Sequence, residues 1–164
     1  MAEGRRMMRL AAQLRADDFE AVLGEYQGLL RCVFEERGGR DVELSSDTAS
    51  AAFPTARQAA LAAVAVQRAV AAHRWPHGLT LAVSVALDSG EAALERCSEL
   101  CDAAEGGQIF LSQATAGLLD DEDLGELTLR DIGDVETRRT ARSVRAYELV
   151  VPEASEISER RPRS

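Results

Sequence analysis

Apolar residues recur at helical spacing early in the chain: Phe19, Val22, Leu23, Tyr26, Leu29, Leu30, Val33 and Phe34. That stripe predicts a helix opened by Asp17, with Glu20 as its capping-box partner, and closed at Gly38-Gly39. A short strand over Val42 to Leu44 and a second over Ala49 to Phe53 follow, joined by the polar tip Ser45-Ser46-Asp47-Thr48 and ended by Pro54. Thr55 with Gln58 caps the next helix, which runs to about His73 and is nearly all Ala and Val. Small residues on most of its faces let it lie close to a sheet. Leu79, Leu81, Val83, Val85 and Leu87 alternate with smaller or polar residues, the plainest strand pattern in the chain.

Asp88-Ser89-Gly90 turns that strand into a helix from Glu91 to Ala104, stopped at Gly106-Gly107. A strand at Gln108 to Leu111 leads to a short helix capped by Ser112 and ending at Leu119. After the acidic loop Asp120 to Glu126 come strands at Leu127 to Ile132 and Val144 to Val151. The order α-β-β-α-β-α-β-α-β-β predicts an α+β sandwich, a mixed sheet with helices covering one face. No internal repeat is visible. The segment after Pro152 is charged and Ser-rich, and is expected to be disordered.

Composition narrows the function classes. The chain has 164 residues, 19 basic and 28 acidic side chains, and a net charge of −9; every basic residue is Arg. An acidic balance argues against nucleic acid as a partner. No apolar run reaches the ~20 residues of a membrane span, and Met1 to Arg15 lacks the apolar core of a signal peptide. Three cysteines, Cys32, Cys97 and Cys101, fit free thiols in a reducing cytoplasm. Cys97 and Cys101, four apart, share a helix face and read as small core residues. His73 and His77 fall in one loop and read as solvated, not as ligands.

Several segments in order resemble the catalytic domain of class III adenylate/guanylate cyclases of the bacterial subgroup. Glu43 to Pro54 resembles the family's K-T-x-G-D-G-F-x-A-A-F-P, and Ala59 to Ala71 its A-x-x-A-x-x-x-Q-x-A-x helix. Val83 to Glu91 resembles R-I-G-L-H-T-G-E. Cys101-Asp102-Ala103-Ala104-Glu105-Gly106-Gly107-Gln108-Ile109-Phe110-Leu111-Ser112 is the closest stretch. Leu129 to Gly133 and Ala146 to Leu149 resemble the last two strands. The resemblance spans residues 9–150. It implies a ferredoxin-like two-layer sandwich over 9–151, an N-terminal remnant at 1–8 and a disordered tail at 152–164. It also implies pairing with a second copy or another cyclase-like domain, with the nucleotide held between the two.

In the family two Asp carboxylates hold two divalent ions, an Asn orients the ribose and an Arg meets the phosphates. Carried over residue by residue, that machinery is broken in this chain. The first metal Asp belongs to an F-T-D-I-x-G-S-T strand end that would fall at Met1 to Met8; only Glu3 lands near it, and no strand is legible there. The sequence therefore leaves the first central strand of the expected sheet unaccounted for: either the start lies upstream, or the sheet is rearranged, or a partner supplies a strand. Asp47 matches the second metal-Asp position, but Ser46 and Thr48 replace its flanking glycines. Glu43 stands at the purine-selecting position. Glu95 replaces the Asn, and Glu99 replaces the Arg. At ~4 Å and an effective dielectric of ~20, a cation-to-carboxylate change turns roughly 4 kcal/mol of attraction into similar repulsion.

The sequence thus predicts a cyclase-like domain without catalysis, a regulatory or protein-interaction module in signalling. No cofactor is expected, with Mg or Mn entering only if some nucleotide binding persists. The alternatives are an active or half-site adenylate/guanylate cyclase working with a partner chain, and a nucleotide sensor without turnover.

Overall fold

The computed structural model describes residues 2–3, 15–46, 48–137 and 141–152. Among the described residues seven strands form one sheet in the order β2-β3-β1-β4-β5-β7-β6. They are β1 (Ala2–Glu3), β2 (Arg40–Leu44), β3 (Thr48–Ala52), β4 (Ser84–Leu87), β5 (Ile109–Ser112), β6 (Thr128–Glu136) and β7 (Ser143–Val150). The helices are α1 (Ala16–Glu36), α2 (Ala56–Ala72), α3 (Ala93–Ala103) and α4 (Gln113–Leu119). Only β4 and β5 run parallel; the other neighbours are antiparallel.

Alternation along β4 and β5 divides the apolar residues between two faces. Val85, Leu87, Ile109 and Leu111 join Val22 and Leu30 of α1, Val66 of α2 and Leu119 of α4 in the main core. Ala86 and Phe110 point the other way, onto Cys97, Leu100 and Cys101 of α3. The predicted two-layer α+β architecture is present, and α3 adds cover to the opposite face. Cys97 and Cys101 are the core residues their spacing suggested, and all three cysteines are free thiols.

Local chemistry explains most boundaries. Thr55 caps α2, its hydroxyl accepting from the Gln58 amide at 3.1 Å, and Ser112 caps α4 in the same way through Thr115. The first helix departs from its expected cap. It starts at Ala16 behind Arg15, which makes no side-chain cap, and Asp17 and Asp18 lie in the first turn, where they favour the helix dipole. Gly39 ends that region by close approach: a Cβ there would sit 2.8 Å from the Phe34 carbonyl oxygen, whose hydrogen bond the Gly39 amide makes at 2.7 Å.

Two strands differ from their patterns. The alternating run from Leu79 buries Leu81 and Val83, yet laddering starts only at Ser84. The Val83 carbonyl is taken instead by the Gln67 side chain at 2.6 Å and the Gly107 amide at 2.8 Å. β6 runs on past Ile132 because Gly133, at φ +77°, makes a bulge opposite β7 and not a stop.

The central strand expected to be missing is present, in its shortest form. Ala2 pairs with Ala49 and Val85, and Glu3 with Thr48 and Ser84, which places β1 between β3 and β4. The rest of the 1–8 segment and the tail from residue 153 onward lie outside the described residues.

Candidate functional site

A cleft of about 650 Å³ opens where β3 and β4 end. β2 contributes Asp41 and Glu43; β3 contributes Ser50 to Ala52. The corner after β3 adds Phe53, and β4 with its turn adds Val85, Leu87, Asp88 and Ser89. The start of α3 brings Leu94 and Cys97, while Leu118 and Glu122 close the far wall. The room comes from the sequence of α2, whose lining residues Ala56, Ala59 and Ala63 carry only methyl groups. Asp41 has φ +50° at a register shift between Arg40 and Glu43, so the bulge in β2 lies on the cleft wall.

Among the described residues the charged side chains lining this cleft are all of one sign. Asp41, Glu43, Asp88 and Glu122 are carboxylates, and no Arg or His lines it among the described residues. Asp88 is the buried member: its side chain is 0% exposed and neither carboxylate oxygen accepts a hydrogen bond. Arg96 Nη1 lies 3.6 Å from Asp88 Oδ1. Beside it the Cys97 thiol donates to the Ala86 carbonyl at 3.5 Å, and burial pushes that thiol up from its usual pKa.

A second cavity of about 550 Å³ adjoins the first through Glu43, Ser50 and Leu94. Ser45, Thr48, Glu95 and Ser98 also line it, again with no Arg or His among the described residues. Glu43 and Glu95, singled out from sequence, are therefore brought to one cavity. Glu99, one turn along α3, is half-buried and lines neither. Asp47 lies outside the described residues. Of its neighbours, the Ser45 amide donates to the Thr48 carbonyl at 2.8 Å and the Ser45 and Thr48 hydroxyls meet at 2.6 Å.

Sequence reasoning missed Asp41, Asp88 as a cleft residue, and Glu122. Asp88 carried one usable signal, a carboxylate at the end of a strand whose other residues are all buried. The loop histidines each meet a carboxylate of α1: His73 Nε2 is 3.0 Å from Glu25 and His77 is 3.5 Å from Asp18. Among the described residues no three His, Cys, Asp or Glu side chains converge as a metal site would require.

The fold itself has clear counterparts. The adenylyl cyclase CyaB of P. aeruginosa superposes with a TM-score of 0.67 at 20% identity, over 93% of this chain and 92% of that one. The catalytic core of a rhodopsin-guanylyl cyclase with converted specificity, in complex with ATPαS, gives 0.76 at 12% identity and 93% of both chains. A dimeric guanylyl cyclase domain from the fungus Blastocladiella emersonii gives 0.71 at 12% identity, over 93% and 94%. No protein-family model matches the chain, and no curated protein does. The chain therefore has the fold of a class III adenylyl/guanylyl cyclase catalytic domain. Among the described residues no helix is long and apolar enough to cross a membrane.

Proposed function

We propose that this chain is a cyclase-like domain without cyclase activity, acting as a regulatory or protein-interaction module in signalling. It pairs with a second copy or with another cyclase-like domain. One observation supports the reading: among the described residues both cavities are lined by carboxylates and by no Arg or His. A triphosphate brought there meets Glu43, Glu95 and Asp88, with Arg96 already drawn to Asp88, and repulsion in a partly desolvated cleft is weakly screened. Glu95 and Glu99 stand where the resemblance puts the ribose-orienting Asn and the phosphate-binding Arg, and losing one such group typically slows a reaction ~10²- to 10³-fold. Leu94 and Leu118, 59% and 57% exposed on the cleft rim, fit a surface that meets another protein. Three free thiols fit a reducing compartment, which for this reading is the cytoplasm.

Purified chain incubated with ATP or GTP and Mn²⁺ is expected to form no cyclic nucleotide above background. Cyclic product that disappears on Asp47→Ala or Glu43→Ala would overturn the reading. A second reading, a half-site completed by a partner chain, is favoured by one feature. Glu43 lines both cavities and is exposed, so a partner could build on it. Activity that needs both chains in a mixture with a second cyclase domain would select this alternative.

A further inference from the structure

A third cavity, a groove of about 410 Å³, shares no described lining residue with the two acidic ones. Val33 of α1 and Val64 of α2 are its buried floor, with Leu124 and Leu127 half-buried on the wall before β6. Leu61, Ala65 and Ala69 recur at every fourth position of α2 and give the groove a half-buried apolar stripe. Beside this apolar surface stand two exposed guanidiniums, Arg37 just past α1 and Arg68 on α2. Neither makes a side-chain hydrogen bond or an ion pair among the described residues. Glu36 and Glu126 also line the groove, and the Glu36 carboxylate already accepts from the Cys32 thiol at 3.5 Å. The groove thus pairs apolar surface with unpartnered cations, which neither acidic cavity does.

Pro152, the last described residue, lies in the wall of this groove. The sequence that follows it, residues 153–159, reads Glu-Ala-Ser-Glu-Ile-Ser-Glu: three carboxylates, no cation, and one large apolar side chain, Ile157. We propose that this segment is the occupant of the groove, an acidic strap with Ile157 on the apolar floor and Glu153 and Glu156 paired with Arg37 and Arg68. The reach is sufficient: five extended residues from Pro152 to Ile157 span up to about 17 Å, against about 8–10 Å between packed helices. Tethering favours this occupant over a separate acidic chain. The protein's net charge of −9 repels a free acidic segment, whereas one joined at Pro152 is held at millimolar effective concentration. Exposed ion pairs are individually weak and are screened by salt. The strap therefore opens as ionic strength rises, and its release bares the stripe of Leu61, Ala65 and Ala69.

The test uses the full chain carrying Cys32→Ser, which leaves only the buried Cys97 and Cys101. Ala65→Cys and Ser158→Cys are added, and disulfide formation between them is followed in a glutathione redox buffer at low salt. The control pairs Ser158→Cys with Leu94→Cys on α3, the helix that covers the opposite face of the sheet. The bridge to position 65 is expected to form at least tenfold faster than the control bridge. Arg37→Glu with Arg68→Glu is expected to slow it about fivefold, and Glu153→Arg with Glu156→Arg in the same chain to restore it. Ile157→Ser is expected to slow it as well. Should Ala65→Cys not fold, Ala69→Cys takes its place one turn along. A rate equal to the control, a rate indifferent to the charge reversal or to Ile157→Ser, or a reversal that the second pair does not restore would overturn the proposal. So would bridges formed between chains, seen as a covalent dimer, which would make a second copy the occupant.

Discussion

Arg96 Nη1 stands 3.6 Å from Asp88 Oδ1, close enough to attract and too far to hydrogen-bond. The Asp88 side chain is wholly covered, while that of Arg96 is 43% exposed. The pair therefore joins a buried charge that lacks donors to a guanidinium still in contact with water. Such a carboxylate is costly to keep folded, and Arg96 offsets only part of that cost.

Asp88→Asn is expected to leave stability unchanged or raise it, because it removes a buried charge at nearly constant shape. Arg96→Ala is expected to destabilise by about 1 kcal/mol, a modest figure because the guanidinium is solvated. The double variant should recover most of that loss. Urea unfolding of the four proteins measures the coupling; independent, additive effects would show that the two groups do not interact.

Two glycines, one inside α1 and one just past its end, should respond in opposite directions. Gly39→Ala forces a Cβ to within 2.8 Å of the Phe34 carbonyl and 3.1 Å of the Phe53 ring, and is expected to cost about 2 kcal/mol. Gly28 lies inside α1 with nothing within 4 Å of an added Cβ. Gly28→Ala is expected to stabilise by roughly 0.5–1 kcal/mol through helix propensity. Chemical denaturation of each reads the sign directly.

The three thiols should differ sharply in reactivity. Cys97 and Cys101 are buried and Cys32 is exposed. A native protein is expected to react with an aromatic disulfide reagent at Cys32 first, and at all three sites once unfolded. Cys32 donates to Glu36 at 3.5 Å, and that hydrogen bond with the nearby carboxylate raises its pKa, so the thiolate is scarcer than in a free cysteine. Glu36→Gln should therefore speed labelling at neutral pH, and the wild-type rate should climb as pH rises.

Asp131 accepts from the Gly133 amide at 2.9 Å and pairs with Arg145, and the two interactions hold its carboxyl below the usual value. A depressed folded pKa contributes stability above the unfolded carboxylate pKa of about 3.9, and that contribution fades as pH falls through the folded value. Asp131→Asn should therefore flatten the acid limb of the stability–pH curve. An unchanged acid limb would show that the bulge does not depend on this charge.

The sequence made the helices and the order of strands legible because each carries a repeating pattern. The stripe from Phe19 to Phe34 and the Thr55 and Ser112 caps could be read residue by residue. β1 could not, since a two-residue strand has no period, and only the partners of Ala2 and Glu3 define it. The site was legible where it lay on one element, as with Glu43 on β2 and Glu95 on α3. Asp41, Asp88 and Glu122 come from separate segments, and their convergence depends on a bulge, a strand end and a loop that periodicity does not encode. Glu99 matched the family's Arg position in sequence, yet it lines neither cavity.

The central claim is that these cavities reject a polyphosphate. Isothermal titration of the purified chain with ATP and with GTP, each with excess Mn²⁺, tests it most directly. The account predicts no saturable heat up to millimolar nucleotide; micromolar binding weakened by substitution of Glu43 would contradict it.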